Sequence, residues 1–324
     1  MTNVTSIQRK DWIDALRAVA ITLVVFGHQV PLKAFFVLTS PIKMPLFFAI
    51  SGYLFTIKPI RLFLKKTFYG LVIPWLCLGL LPQLLLMPIK GFGSTCNYFV
   101  KMLLGEAIWF MPCFIIGSVI FFFTLKITEN RLILGGGISI ILFLVGIFLY
   151  NHSSQYSASL YRAMAVQPFF WFGYAFRQCE ITKCKYISKG HDYKILLVMS
   201  ILYLASVTST FFLYPGKSID VHLNKYFNIP LCALQITTGL FCMFEFFKRY
   251  NHFPRWVVEI GKCSLVIYIW HSYVIGIFKF VIEKLIGKVP LYPMAIMSTI
   301  VAVIVCYLLN KIIKRYVPFM IGDR

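Results

Sequence analysis

The sequence predicts an all-α fold, a polytopic membrane helical bundle of about ten transmembrane helices with both termini cytoplasmic. Three observations carry this expectation. Of 324 residues, 59% are hydrophobic and only 13% charged; the mean hydropathy is +0.79; and the apolar residues fall into long runs joined by short basic connections. Soluble domains carry about 25% charged residues, and a soluble core could not hide this much apolar surface. In hydrocarbon the backbone must satisfy its own hydrogen bonds, so runs of this length are helices.

A window of about 19 residues isolates the spans. In order they lie near Trp12–Val30, Pro41–Ile57, Phe68–Met87, Ala107–Leu125 and Leu132–Tyr150. The remaining five lie near Tyr161–Phe176, Lys194–Tyr214, Tyr226–Phe247, Cys263–Ile282 and Leu291–Ile313. The second run is short and contains Ser51-Gly52, so it is expected to be tilted or broken. Every connection is short, which leaves one integral-membrane domain over residues 1–324 and confines any chemistry to the bundle or its edges. The first apolar run contains Arg17 and no small-residue cleavage site follows it, so it is expected to stay in the chain. No internal repeat or low-complexity tract is visible.

The formal net charge is +21. In a soluble chain this would suggest nucleic acid; here it points to topology and to anionic lipid headgroups, with no nucleic-acid partner. Apart from Arg17 within the first span, the Lys and Arg residues divide 21 to 10 between the two sides of a ten-span arrangement. The richer side holds the amino terminus, the even-numbered connections (Lys58, Arg61, Lys65 and Lys66 among them) and the carboxyl end. The positive-inside rule assigns that side to the cytoplasm. The nine cysteines are scattered and form no CxxC pair, although Cys179 and Cys184 share a basic loop. Neither a disulfide frame nor a metal site is indicated.

Trp12 to Gln29 is the unusual span, because it carries Asp14, Arg17 and His28. An ionisable group at membrane depth costs at least ~2.5–3.5 kcal/mol on insertion scales, so three in one helix imply a use. Arg17 and His28 are eleven residues apart, close to a whole number of turns, and share a face about 16 Å apart. Asp14 precedes Arg17 by three residues on that face, acid first, the favourable order for a helical ion pair. Ser264, Tyr268 and His271 are likewise spaced i, i+4, i+7 on one face of the ninth span.

Asp14-Ala15-Leu16-Arg17, followed by ten residues and then His28, resembles the Arg-x10-His motif of the acyltransferase-3 family of integral-membrane O-acyltransferases. That family includes O-antigen and capsule O-acetylases and fucose 4-O-acetylase-like proteins. The resemblance continues through Met44-Pro-Leu-Phe-Phe-Ala-Ile-Ser51-Gly52-Tyr53 and the basic run from Lys58 to Lys66 leading to Pro74-Trp75. It recurs in Trp109-Phe110-Met111, Phe172-Gly173-Tyr174 and Gly261-Lys-Cys-Ser264-Leu-Val-Ile-Tyr268-Ile-Trp-His271. Two positions depart from the pattern. Ala18 stands where the family usually has Gly, and Lys65-Lys66 then Gly70 stand where many relatives have Arg-x-x-Arg.

The resemblance implies acetyl-CoA, or another acyl-CoA, as co-substrate, and a hydroxyl of a glycan or lipid-linked saccharide as acceptor, in the cell (inner) membrane. No bound cofactor or metal is expected. A sugar hydroxyl needs a base titrating near the working pH, which imidazole supplies, and His28 is the candidate. Direct transfer and a transient acyl-enzyme both remain open. Arg17, with Arg61, Lys65 and Lys66 in the adjoining loop, suits the CoA phosphates, which guanidinium binds bidentately. Ser264, Tyr268 and His271 are assigned to substrate binding. Plainer roles stand beside these. His28 would serve as a hydrogen-bonded bundle histidine, Arg17 as a partner for Asp14, and the ninth-span face as interhelical glue. Ser51-Gly52 reads as a packing or breaking point, and Glu106 to Trp109 as a span entry with an interfacial Trp. A secondary transporter or flippase is the rival function, since buried charges also line transport paths; a membrane scaffold is a third.

Overall fold

The computed structural model describes residues 10–152, 158–182, 193–250 and 252–322. Arg9, Lys183, Cys184, Lys185, Lys189 and Arg324, which entered the charge and cysteine readings, lie outside the described residues. The described residues are mostly helical, with no β-strand among them. Helices α1 (Asp11–Gly27), α2 (Lys33–Lys43), α3 (Pro45–Leu54), α4 (Ile60–Thr67) and α5 (Ile73–Lys90) lead to α6 (Phe92–Leu104), α7 (Phe110–Ile127) and α8 (Leu132–His152). After α9 (Ala158–Ala165) and α10 (Gln167–Ile181) come α11 (Tyr193–Leu213), α12 (Ile229–Tyr250), α13 (Arg255–Lys262), α14 (Ser264–Leu285) and α15 (Leu291–Tyr316).

Among the described residues, eight helical stretches are long and apolar enough to cross a membrane; two are composite, Lys33–Leu54 across α2 and α3 and Ile60–Lys90 across α4 and α5. The two other expected spans coincide with α1 and with the α9–α10 pair. α1 is 17 residues long and carries Asp11, Asp14 and Arg17. α9 and α10 are separated at Val166, one residue before Gln167-Pro168. Proline lacks the N–H that continues a helix and is tolerated in a helix's first turn, so a new helix starts there. The same cause corrects the second expected span. Its break falls at Met44, ahead of Pro45, and not at Ser51-Gly52. Gly52 is instead a crossing point: a Cβ there would stand 1.8 Å from the Phe170 carbonyl oxygen of α10, and one on Gly173 would stand 1.8 Å from the Ala49 oxygen of α3. The two helices therefore touch backbone to backbone.

α1 is the axis of the bundle. Trp12, Ala15, Leu16, Ala20, Ile21, Val24 and Val25 are buried, and α2, α3, α12, α13, α14 and α15 all pack on it. Ala18, the departure from the family's Gly, is buried as well. α13 approaches so closely that a Cβ on Gly261 would lie 1.7 Å from the Asp14 carbonyl oxygen. Both ends of the described chain lie at one end of the bundle. Lys10 Nζ donates to Tyr53 Oη, which donates to Glu180 Oε2, each at 2.8 Å, and Lys248 Nζ lies 2.6 Å from Glu180 Oε1. The carboxyl-terminal turn brings Gly322 against Tyr69 and Gly70, at the entrance to α5.

Candidate active site

α1 presents its ionisable face to two cavities. Near its amino-terminal end Arg17 Nη1 donates to Asp14 Oδ1 at 3.0 Å, with the Asp14 side chain 1% exposed and Arg17 28% exposed. Arg17 lines a cavity of about 450 Å³ together with Ser51, Lys58, Lys66, Ser264 and Tyr268 and several phenylalanines. At the other end His28, the residue immediately after α1, lines a second cavity of about 250 Å³. Met44 and Tyr268 belong to both walls, so the two spaces meet at the α2–α3 break and the middle of the α14 face. The Tyr268 oxygen accepts the Phe110 N–H at 3.2 Å, which holds its ring across this junction.

The i, i+4, i+7 face of α14 runs alongside. Ser264 lines the larger cavity, Tyr268 lines both, and His271 stacks on His28 with ring centroids 5.3 Å apart and an interplanar angle of 26°. His271 is 4% exposed, and its Nδ1 lies 2.9 Å from both the Ile267 and Tyr268 carbonyl oxygens. Two acceptors at one nitrogen require Nδ1–H, and Nε2 lies 3.2 Å from the Ser272 hydroxyl. Both ring nitrogens of His271 thus have partners, whereas His28 is exposed to its cavity. Of the paired imidazoles, His28 is the one an incoming molecule can touch.

Arg61 and Lys65 do not join this constellation; both stand exposed on α4, outside the cavity lining that includes Lys58 and Lys66. Trp109 stands at the entry to α7. It lines the smaller cavity and lies over His222, with ring centroids 4.9 Å apart, while Glu106 is exposed.

Sequence reasoning missed the segment between α11 and α12, which closes the His28 cavity with Ser218, Asp220 and His222. Its turn is built by short polar side chains, as such turns generally are. Asp220 and Lys225 exchange backbone hydrogen bonds at 2.9 and 3.1 Å, Asp220 Oδ1 accepts the Leu223 N–H at 3.0 Å, and Asn224 takes a positive φ of 47°. Buried Arg162 of α9 fixes the turn by donating Nε to the His222 carbonyl at 2.6 Å and Nη1 to the Gly105 carbonyl at 3.2 Å. Burial, then the Arg162 guanidinium, holds the His222 imidazole below its usual value; Asp220 opposes the shift and His28 adds to it. The Asp-Val-His run carried only one available signal, a charged and titratable pair in a connection otherwise rich in turn formers. Lys43 was also missed, having been counted as a connection lysine; it ends α2 and lines the His28 cavity. Among the described residues no cluster of three or more His, Cys, Asp or Glu side chains could hold a metal.

Comparison with known proteins converges with this geometry. A family model described as an acyltransferase domain, the acyltransferase-3 model, matches residues 10–311, from the start of α1 into α15. Comparisons with curated proteins and with solved structures gave no match. A match over nearly the whole chain, on a bundle whose Arg17, His28 and His271 line or back two adjoining cavities, identifies the chain as a multi-pass membrane acyltransferase belonging to the acyltransferase-3 family.

Proposed function

We propose that the protein is an O-acyltransferase of the cell (inner) membrane that moves an acetyl group from acetyl-CoA to a hydroxyl of a cell-surface glycan or its lipid-linked precursor. The observation that carries this reading is the pair of cavities meeting at Tyr268, with Arg17 in one wall and His28 in the other. The larger cavity opens at the end of the bundle that holds both chain ends, the end assigned to the cytoplasm, where acyl-CoA is available. Arg17, Lys58 and Lys66 offer positive charge to the CoA phosphates, and the phenylalanine-rich remainder suits the thioester arm. The smaller cavity sets Ser218, Asp220 and His222 among apolar side chains, with Trp109 as a ring face for a sugar.

His28 then takes the proton from the acceptor hydroxyl as its oxygen attacks the thioester carbon, a role that requires a neutral imidazole within hydrogen-bond reach. The stacked His271 ring orients the His28 ring. Cavities at both ends of a bundle also suit a carrier for a glycan intermediate, so the test must separate turnover from binding. Purified protein in lipid nanodiscs, given acetyl-CoA labelled in the acetyl group and glycan from a strain deleted for the gene, is expected to release CoA thiol and label the glycan. Tight glycan binding with no thioester turnover would favour transport.

A further inference from the structure

General-base attack on a thioester leaves negative charge on the carbonyl oxygen, and His28 cannot neutralise it. We infer that Lys43 is a further catalytic residue, whose ammonium binds the carbonyl oxygen of the thioester as it becomes an oxyanion in the His28 cavity. The assignment rests on the acyltransferase reading and adds the group that reading lacks.

Lys43 is the last residue of α2, beside the Met44-Pro45 break, and lines the same cavity as His28. Its Nζ reaches the flank of α1 directly: a Cβ on Gly27, the residue before His28, would lie 3.2 Å from it. Two ring faces hold the ammonium, and the Asp220 carboxylate in the same cavity attracts it. Nζ sits 4.5 Å from the Phe36 ring centroid and 5.9 Å from that of Phe35. Ring faces attract a cation without taking its N–H donors. No hydrogen bond or ion pair to Lys43 occurs among the described residues, and Asp220, in the opposite wall, spends Oδ1 on the Leu223 N–H. The fixed negative end of the α2 dipole further favours a cation at this position. A positioned ammonium with free donors beside a base is the arrangement an oxyanion requires, and it acts most strongly in a site shielded from water.

The step balances. The acceptor oxygen bonds to the carbonyl carbon as its proton passes to His28, and the carbonyl electron pair moves onto the oxygen facing Lys43. Collapse restores the carbonyl, breaks the carbon–sulfur bond, and the proton leaves His28 with the CoA sulfur as thiol.

The test is Lys43→Met, which keeps the stem and removes the charge, and Gly27→Ala, whose Cβ would stand 3.2 Å from both Nζ and the Phe35 ring that holds it. Both are assayed as purified full-length protein with acetyl-CoA and three kinds of acceptor: water, neutral methyl glycosides and uronic-acid methyl glycosides. Loss of one oxyanion donor typically lowers kcat about 10²–10³-fold. Lys43→Met should show that loss with every acceptor the wild type uses, with KM for acetyl-CoA within about twofold of wild type, because a group acting only in the transition state leaves ground-state binding unchanged. Gly27→Ala should show a smaller loss in the same parameter. Wild-type kcat in Lys43→Met, or in Gly27→Ala should Lys43→Met not fold, would overturn the assignment. So would a loss confined to uronates and expressed in KM, which would make Lys43 a reader of acceptor charge. A wild-type protein that turns over no acetyl-CoA would overturn the acyltransferase reading itself.

Discussion

A guanidinium and an ammonium carry the same charge, but only the guanidinium offers a planar fork that matches a phosphate. Arg17 therefore predicts a split outcome. Arg17→Lys keeps a cation beside Asp14 and should leave the protein inserted, yet it forfeits a charge-assisted bond worth about 1.5–3 kcal/mol. KM for acyl-CoA should rise by roughly one to two orders of magnitude; wild-type acyl-CoA kinetics in a monodisperse variant would remove Arg17 from donor binding. His222 predicts a pH effect. Its imidazole is held below its usual value by burial and by Arg162, with Asp220 opposing and His28 reinforcing, and Lys43 lines the same cavity. A histidine lowered in the folded state binds fewer protons than in the unfolded chain below about pH 6.5. Its stabilising contribution is complete above that pH and is lost as pH falls through the lower folded value. Melting temperature should thus decline as pH drops below about 6.5, and His222→Gln should flatten that decline; an unchanged slope would contradict it. These polar groups differ in how far the sequence reveals them. Arg17 and His28 announce themselves because charge inside an apolar run is costly, while Lys43 and His222 sit in connections where such residues are ordinary.

At the scale of elements, three glycines set how closely the helices approach. Gly52 and Gly173 bring α3 and α10 into backbone contact, and Gly261 does the same for α13 and α1. All three lie in motifs that carried the family resemblance, so those motifs report packing as well as chemistry. Gly52→Ala places a carbon 1.8 Å from the Phe170 oxygen, where neither backbone can yield cheaply. Overpacking costs typically about 1–3 kcal/mol and occasionally more, so the melting temperature of the detergent-solubilised protein should fall well below wild type. Gly137→Ala in α8 meets nothing within 4 Å and should be neutral or slightly stabilising, since alanine favours helix over glycine. Equal melting of the two variants would refute the crossing. Helix existence was legible from hydropathy, since each apolar run became a helix. The short helices were not: α4, α6 and α13 hold too few apolar residues to register in a window sized for a membrane span. The Ser51-Gly52 reading shows the remaining ambiguity, because glycine permits both a break and a close contact, and only the facing Gly173 decides between them.

Over the whole molecule, the Arg17 cavity and the His28 cavity share Met44 and Tyr268, and the proposed function brings the donor from the end with both termini and the acceptor from the other. The basic bias predicts that the first end faces the cytoplasm. A reporter fused after Arg324 should accordingly report from the cytoplasm, and one inserted in the 214–228 segment from outside; the reverse in either would overturn the orientation. The sequence disclosed the pairing of Arg17 with His28 and the shared face of Ser264, Tyr268 and His271, because helical spacing fixes which residues share a face. It did not disclose that His271 meets His28, which depends on how α14 packs on α1 across more than 240 residues of chain. The account stands or falls on the group at that contact. Acetyl-CoA turnover is to be measured for wild type, His28→Gln and His271→Gln, each verified as monodisperse. Removing a general base typically costs about 10²–10⁴-fold, so His28→Gln should lose that much kcat while His271→Gln, which keeps a hydrogen-bonding side chain behind the base, retains substantial activity. Full turnover in His28→Gln, or an essential His271 beside a dispensable His28, would contradict the assignment of the catalytic centre to the end of α1.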